Sequence, residues 1–205
     1  MREITFGAAV NEAISEEMRL DDSIIVLGED VAEAGTPFKV LSGLVEEFGT
    51  DRVVDTPISE PGFTGIAVGA AMTGLRPIVD IMFGDFLSYS FDQILSNASK
   101  FYDMYDKQVS IPLVIRTPMG GGRGYGPTHS QSIEKLFNGI NNIEIVALNS
   151  FIPVSQIYKT LNKSKHTTLV IENKLDYSRL EYQLPKTIKY EFYKSNSRFP
   201  ISFFK

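Results

Sequence analysis

The sequence predicts an α/β fold: a three-layer sandwich with a mostly parallel six-stranded sheet and helices on both faces. Three observations predict it. Short apolar runs, such as Ile24-Ile25-Val26-Leu27 ended by Gly28, recur along the chain and read as buried strands. Segments of helical spacing separate most of them. One such segment, Gly62 to Gly74, is rich in Gly and Ala, so its side chains suit a helix packed very closely.

In chain order, Phe6, Val10, Ala13, Ile14 and Met18 recur at helical spacing behind Thr5, an N-cap candidate. After the first strand a helix is expected from Pro37 to Phe48, with Gly49 as its C-cap. Arg52-Val53-Val54 is the second strand candidate and Pro77 to Ile81 the third. A helix is expected from Phe91 to Tyr105, then a strand from Ile111 to Arg116. Ile143 to Leu148 and Thr167 to Ile171 complete the six strands, with Pro153 to Lys163 helical between them. The pattern changes after Leu180. Residues 1–180 read as one domain and 181–205 as an extended arm or linker.

Composition removes several classes of function. Among 205 residues there is no cysteine, which excludes disulfides and thiolate metal sites. His129 and His166 lie too far apart for metal-ligand spacing, so no metal site is expected on this chain. The net charge is −5 and the basic residues are scattered, which argues against a nucleic-acid surface. No apolar run approaches the length of a membrane span. The start, Met1 to Thr5, lacks the apolar stretch of a signal peptide. A cytoplasmic protein is the plain expectation, or a matrix protein in a mitochondrial setting.

Parallel sheets bind ligands at the carboxyl ends of their strands, and three loops there carry candidate chemistry. In the first, Thr56-Pro57-Ile58-Ser59-Glu60-Pro61, a carboxylate opens the small-residue helix. Its bland role is to complement the helix dipole, and its functional role is to hydrogen-bond a ligand. In the second, Phe83-Gly84-Asp85-Phe86, Phe86 is either core filler or a stacking platform for a flat heterocycle. The third, Gly120 to Ser132, has five glycines in its first seven residues and matches neither a Walker loop nor the dinucleotide fingerprint. It carries His129, whose tunable pKa suits proton transfer. His166, among lysines and serines, reads as a solvated turn residue.

Together these stretches resemble the beta subunit of the pyruvate and branched-chain 2-oxoacid dehydrogenases. The match rests on Thr56 to Glu60 with Gly62-Phe63 and Gly65 to Ala71, on Phe91-Asp92-Gln93-Ile94, and on Pro127-Thr128-His129-Ser130-Gln131-Ser132. Ile171-Glu172-Asn173-Lys174 agrees with it. The resemblance implies the pyrimidine-binding domain of a thiamine-diphosphate enzyme. It implies that Glu60 hydrogen-bonds N1′ of the aminopyrimidine and promotes deprotonation of the thiazolium. It further implies that Phe86 packs on the pyrimidine and that His129 handles the substrate or the reductive acylation of lipoamide. Ile58, Ser59 and Gln131 would shape the site.

The Gly-Asp-Gly signature that anchors the magnesium diphosphate in this family is absent: Gly84-Asp85 is followed by Phe86. The resemblance therefore implies an alpha subunit that holds the diphosphate and Mg2+, a second beta chain, a 2-oxoacid substrate, and a lipoyl acyltransferase core as docking partner. The family adds a C-terminal domain, and the sequence stops at Lys205 within the expected linker. Two other readings stay open at this point. One is the equivalent domain of a transketolase or deoxyxylulose-phosphate synthase, and the other is a non-catalytic interaction module.

Overall fold

The computed structural model describes residues 3–182, 192–194 and 202–204. A short strand, β1 (Glu3–Thr5), leads into α1 (Phe6–Leu20). Thr5 caps that helix, its hydroxyl accepting from the N–H of Ala8 at 3.2 Å. Then follow β2 (Ile24–Gly28), α2 (Leu44–Phe48), β3 (Val53–Asp55), α3 (Glu60–Met72) and β4 (Arg76–Asp80). A 3-10 turn (Gly84–Ser88), a π-helical segment (Gln93–Ala98) and α4 (Phe101–Met104) lead to β5 (Val114–Met119). The chain closes with β6 (Ile143–Ala147), α5 (Val154–Leu161), β7 (Thr167–Asn173) and β8 (Leu180–Tyr182).

Strands β2 to β7 form one sheet in the order β3-β2-β4-β5-β7-β6, and every pair is parallel. All six sequence-predicted strands are therefore present. Alternate residues feed two cores, as the pleat requires. Val26, Ile78, Val114 and Val170 join α1 and α5 on one face. Leu27, Val79, Ile115 and Leu169 join α3 and the π-helical segment on the other. The β1 strand pairs antiparallel with β8, which ties the beginning of the domain to its end.

Three expectations need correction in extent. The helix predicted from Pro37 to Phe48 is confined to α2. Thr36 and Lys39 have φ of 73° and 60°, which no helix tolerates. The Asn11 amide also donates to the carbonyls of Val40 and Ser42, at 2.8 and 3.0 Å, taking acceptors a helix would use. The helix predicted from Phe91 to Tyr105 is broken instead into a π-helical segment and α4. At the break the N–H of Ser99 reaches back five residues to Ile94, and Asn142 takes the Ser99 carbonyl. The strand predicted from Ile111 begins at Val114, after Pro112, which has no N–H to give to a ladder. Of the expected arm, 181–182 complete β8, while 192–194 (β9) pair with 202–204 (β10). The remainder of 181–205 lies outside the described residues.

Strands β4, β5 and β7 are bolted together near their carboxyl ends by a buried ion network. The Arg116 guanidinium is 1% exposed. It donates to both oxygens of Glu172, at 2.9 and 2.7 Å, and to Asp80. The Tyr177 hydroxyl donates to Glu172 at 2.7 Å. Burial pushes the Asp80 carboxyl up to about 6 while Arg116 pulls it back toward the anion. Replacing the cation alone leaves two carboxylates in the dry interior. Arg116→Met is therefore expected to cost about 3–5 kcal/mol of folding stability, read as a lower urea midpoint at unchanged slope.

Candidate functional site

Because all six strands are parallel, their carboxyl ends lie along one edge, and every candidate side chain follows such an end. Glu29 comes directly after β2 and Glu60 opens α3 beyond β3. Phe86 lies past β4, His129 past β5, and Lys174 directly after β7. The edge is tight. A Cβ on Gly28 would meet the Asp80 carbonyl at 2.5 Å, so β2 and β4 approach too closely there for a side chain.

Glu60 is buried at 8% exposure, and its position is fixed through the main chain. Its carbonyl accepts from the Ser90 hydroxyl at 3.0 Å, and Ser90 also bonds Thr64 at 2.8 Å. This pair ties the head of α3 to the segment that follows the 3-10 turn carrying Phe86. Ile58 and Ser59 precede Glu60 on exposed backbone, and Ile58 is 84% exposed. Neither joins the aromatic group described next in any observed ring contact or hydrogen bond.

That group centres on Phe83. His129 stands edge-on to it at 4.8 Å between ring centroids, Tyr125 at 5.5 Å and Phe86 at 5.9 Å. Phe86 also contacts His129 at 5.2 Å and stacks with Tyr89 at 6.0 Å. The structure therefore brings Phe86 and His129 into ring contact. Gln131 joins them through Asp85, which accepts from the Gln131 N–H at 3.2 Å and from its side-chain amide at 2.8 Å. The His129 Nδ1 pairs with the Thr128 hydroxyl at 2.9 Å. His166 is not a freely solvated turn residue: it is half-buried and packs edge-on against Tyr102 at 5.1 Å.

The sequence reading missed Glu29. It is 6% exposed, and its Oε1 has no hydrogen-bond partner in the structure. Burial raises its pKa from 4.5 to about 7, helped by the negative charge of Glu60 and, less, of Asp30 and Asp80. Two acidic groups thus share one corner of the edge, and one of them keeps its proton near neutrality. The only sequence signal was a carboxylate placed directly after a strand-ending glycine. Among the described residues no group of three or more His, Asp or Glu could hold a metal ion, and no helix is long and apolar enough to cross a membrane.

A buried carboxyl, a second acid and an aromatic–imidazole wall thus lie along the carboxyl edge of a parallel α/β sheet. Over residues 2–179 the sequence matches the family described as transketolase, pyrimidine binding domain, and the chain belongs to that family. It is 39% identical over 181 residues to the pyruvate dehydrogenase E1 component subunit beta of Staurastrum punctulatum, covering 88% of this chain and 55% of that protein. The protein of the same name from Rickettsia conorii is 39% identical, with 91% and 57% covered. The 2-oxoisovalerate dehydrogenase subunit beta of Bacillus subtilis is 36% identical, with 90% and 57% covered. The chain thus spans a little over half the length of these relatives. A solved split-gene transketolase described as an inactive beta4 tetramer shares the fold with a TM-score of 0.67 at 18% identity, covering 89% of this chain and 55% of that one.

The pH dependence of folding should expose Glu29. Its folded pKa is raised, so between about pH 4.5 and 7 the folded chain keeps a proton that the unfolded chain has lost. Stability therefore falls as pH rises through that window and levels off above it. Asp80, also raised, adds to the slope below about pH 6, so Glu29→Gln should reduce the slope, chiefly its upper part, and be more stable than wild type at pH 8 by on the order of 2 kcal/mol. Urea titrations of the isolated chain at pH 5 and pH 8 measure this directly.

Proposed function

We propose that the chain is the pyrimidine half of a thiamine-diphosphate-dependent 2-oxoacid dehydrogenase. It would act with a partner chain in oxidative decarboxylation and transfer of the acyl group to lipoamide. The observation that carries this reading is Glu60: a buried carboxyl at the first residue of a helix, on the sheet's carboxyl edge, fixed by Ser90. The names borne by the relatives at 36–39% identity support it.

The residues fit the pyrimidine end of the coenzyme. Glu60 supplies an acid able to share a proton with a ring nitrogen, and the unpartnered Oε1 of Glu29 leaves further polar capacity in the same corner. Phe86 offers an aromatic face. Bound there, the coenzyme supplies the nucleophilic carbon and the electron sink for decarboxylation. Glu60 holds the proton at N1′, Phe86 orients the ring, and His129 moves a proton at the substrate. Ile58, Ser59 and Gln131 would border the site. The sequence lacks the family's Gly-Asp-Gly signature, Gly84-Asp85 being followed by Phe86, so this reading assigns the diphosphate and its Mg2+ to an alpha subunit.

The surface of α3 supports assembly with such a subunit and with a second beta chain. Beyond Glu60 the helix carries no charged residue. Its exposed flank, Pro61, Gly62, Ile66 and Gly69, is apolar, with Ile66 66% exposed.

Glu60→Ala, in the complex reconstituted with a candidate alpha subunit, should lower kcat for 2-oxoacid decarboxylation about a hundredfold or more. An unchanged rate removes Glu60 from the chemistry, and consumption of ketose phosphates alone would replace the dehydrogenase reading with a transketolase one. The isolated chain should bind thiamine diphosphate weakly with Mg2+, as read by calorimetry. Tight binding by the lone chain would contradict the shared site.

A further inference from the structure

Lys174 is fully buried, yet its ammonium makes its hydrogen bond to a neutral carbonyl, that of His129. It also lies over the rings of Phe83, at 5.1 Å, and Tyr125, at 5.7 Å. Taking an ammonium out of water costs several kcal/mol. A Met or Leu would fill the same space without that cost, so the charge is retained for what it touches.

What it touches is the far end of a loop with little order of its own. Gly120, Gly122, Gly124 and Gly126 all have φ between 76° and 89°. Such a run costs more conformational entropy to fix than any other. The structure holds its downstream end at two points. Lys174 grips the carbonyl of residue 129, and Asp85 grips the N–H and side chain of Gln131, with distances of 3.2 and 2.8 Å. The loop's upstream end closes on the same place, the Gly120 N–H donating to the Gln131 carbonyl at 3.3 Å. Lys174 itself is set by β7 and by its own N–H, which donates to Met119 at 3.3 Å. Burial draws its pKa down and Asp85 draws it back up, so the two charges support each other while each holds the loop.

We propose that Lys174 is a positioning residue for His129: its buried ammonium clamps the main chain at 129 and fixes where the imidazole stands against Phe83 and Phe86. This rests on the reading of His129 as a substrate-handling group. Its consequence is that a cation lying outside the glycine loop offsets the entropy of fixing it.

The chain has only two histidines, so the imidazole resonances of the full chain can be resolved by NMR, with His166→Asn to assign them. In Lys174→Met the imidazole signals of His129 should move while those of His166 stay. The amides of 129 and 131 should exchange about tenfold faster or more. In the reconstituted complex kcat should fall about tenfold with coenzyme affinity nearly unchanged, and Lys174→Arg should recover part of the loss. A folded Lys174→Met chain with wild-type His129 signals and loop exchange overturns the proposal. If the loop loosens but 2-oxoacid turnover does not change, the clamp stands and the role assigned to His129 falls. If the variant does not fold, the wild-type chain still decides. Scalar coupling from the Lys174 Nζ to the His129 carbonyl carbon is expected, and its absence refutes the clamp.

Discussion

One buried guanidinium organises the carboxyl edge of this sheet. Arg116 holds Asp80 on one neighbouring strand and Glu172 on the other. A parallel ladder fixes strands along their length, but their ends fray into loops, and loops carry the chemistry. The Arg116 network sits where the ladder gives way to those loops. It sets the relative height of three strand ends, and therefore of Phe83 beyond β4, the glycine loop beyond β5 and Lys174 beyond β7.

From that frame the site follows as two groups held by different means. The acidic corner, Glu29 and Glu60, sits on the outer side of β4 and is set by backbone contacts: the Gly28–Asp80 approach and the Ser90–Glu60 bond. The aromatic wall is set by side chains packing on Phe83 and by the opposed charges of Lys174 and Asp85. On the proposed reading the acids need fixed positions, because proton sharing depends on distances of a few tenths of an ångström.

Much of this was legible in the sequence because the sheet obeys local rules. A parallel strand covered on both faces reads as an apolar run, as Ile24 to Leu27 of β2 does, while the edge strands β3 and β6 carry shorter runs around Val53 and Ile143. Glu60, Phe86 and His129 were visible because each follows a strand end. The helix predicted at Pro37 was illegible because Asn11, far away in sequence, captures the carbonyls it would need. Glu29 and Lys174 were missed for a related reason. A charged residue beside a strand end is ordinarily a solvated one, and only the tertiary packing buries these two. The Arg116 network depends on strands β4 and β7 that are distant in sequence from β5, so no local pattern could announce it.

Gly28 offers no side chain, yet the room at its α-carbon is smaller than a methyl group. Adding one carbon there would drive the Asp80 carbonyl away and wedge apart the two strands that hold the acidic corner beside the ion network. A side chain is therefore excluded at a position that a survey of reactive groups would pass over. Random mutagenesis of the domain would meet its sharpest intolerance at such a silent spacer as readily as at the groups it separates.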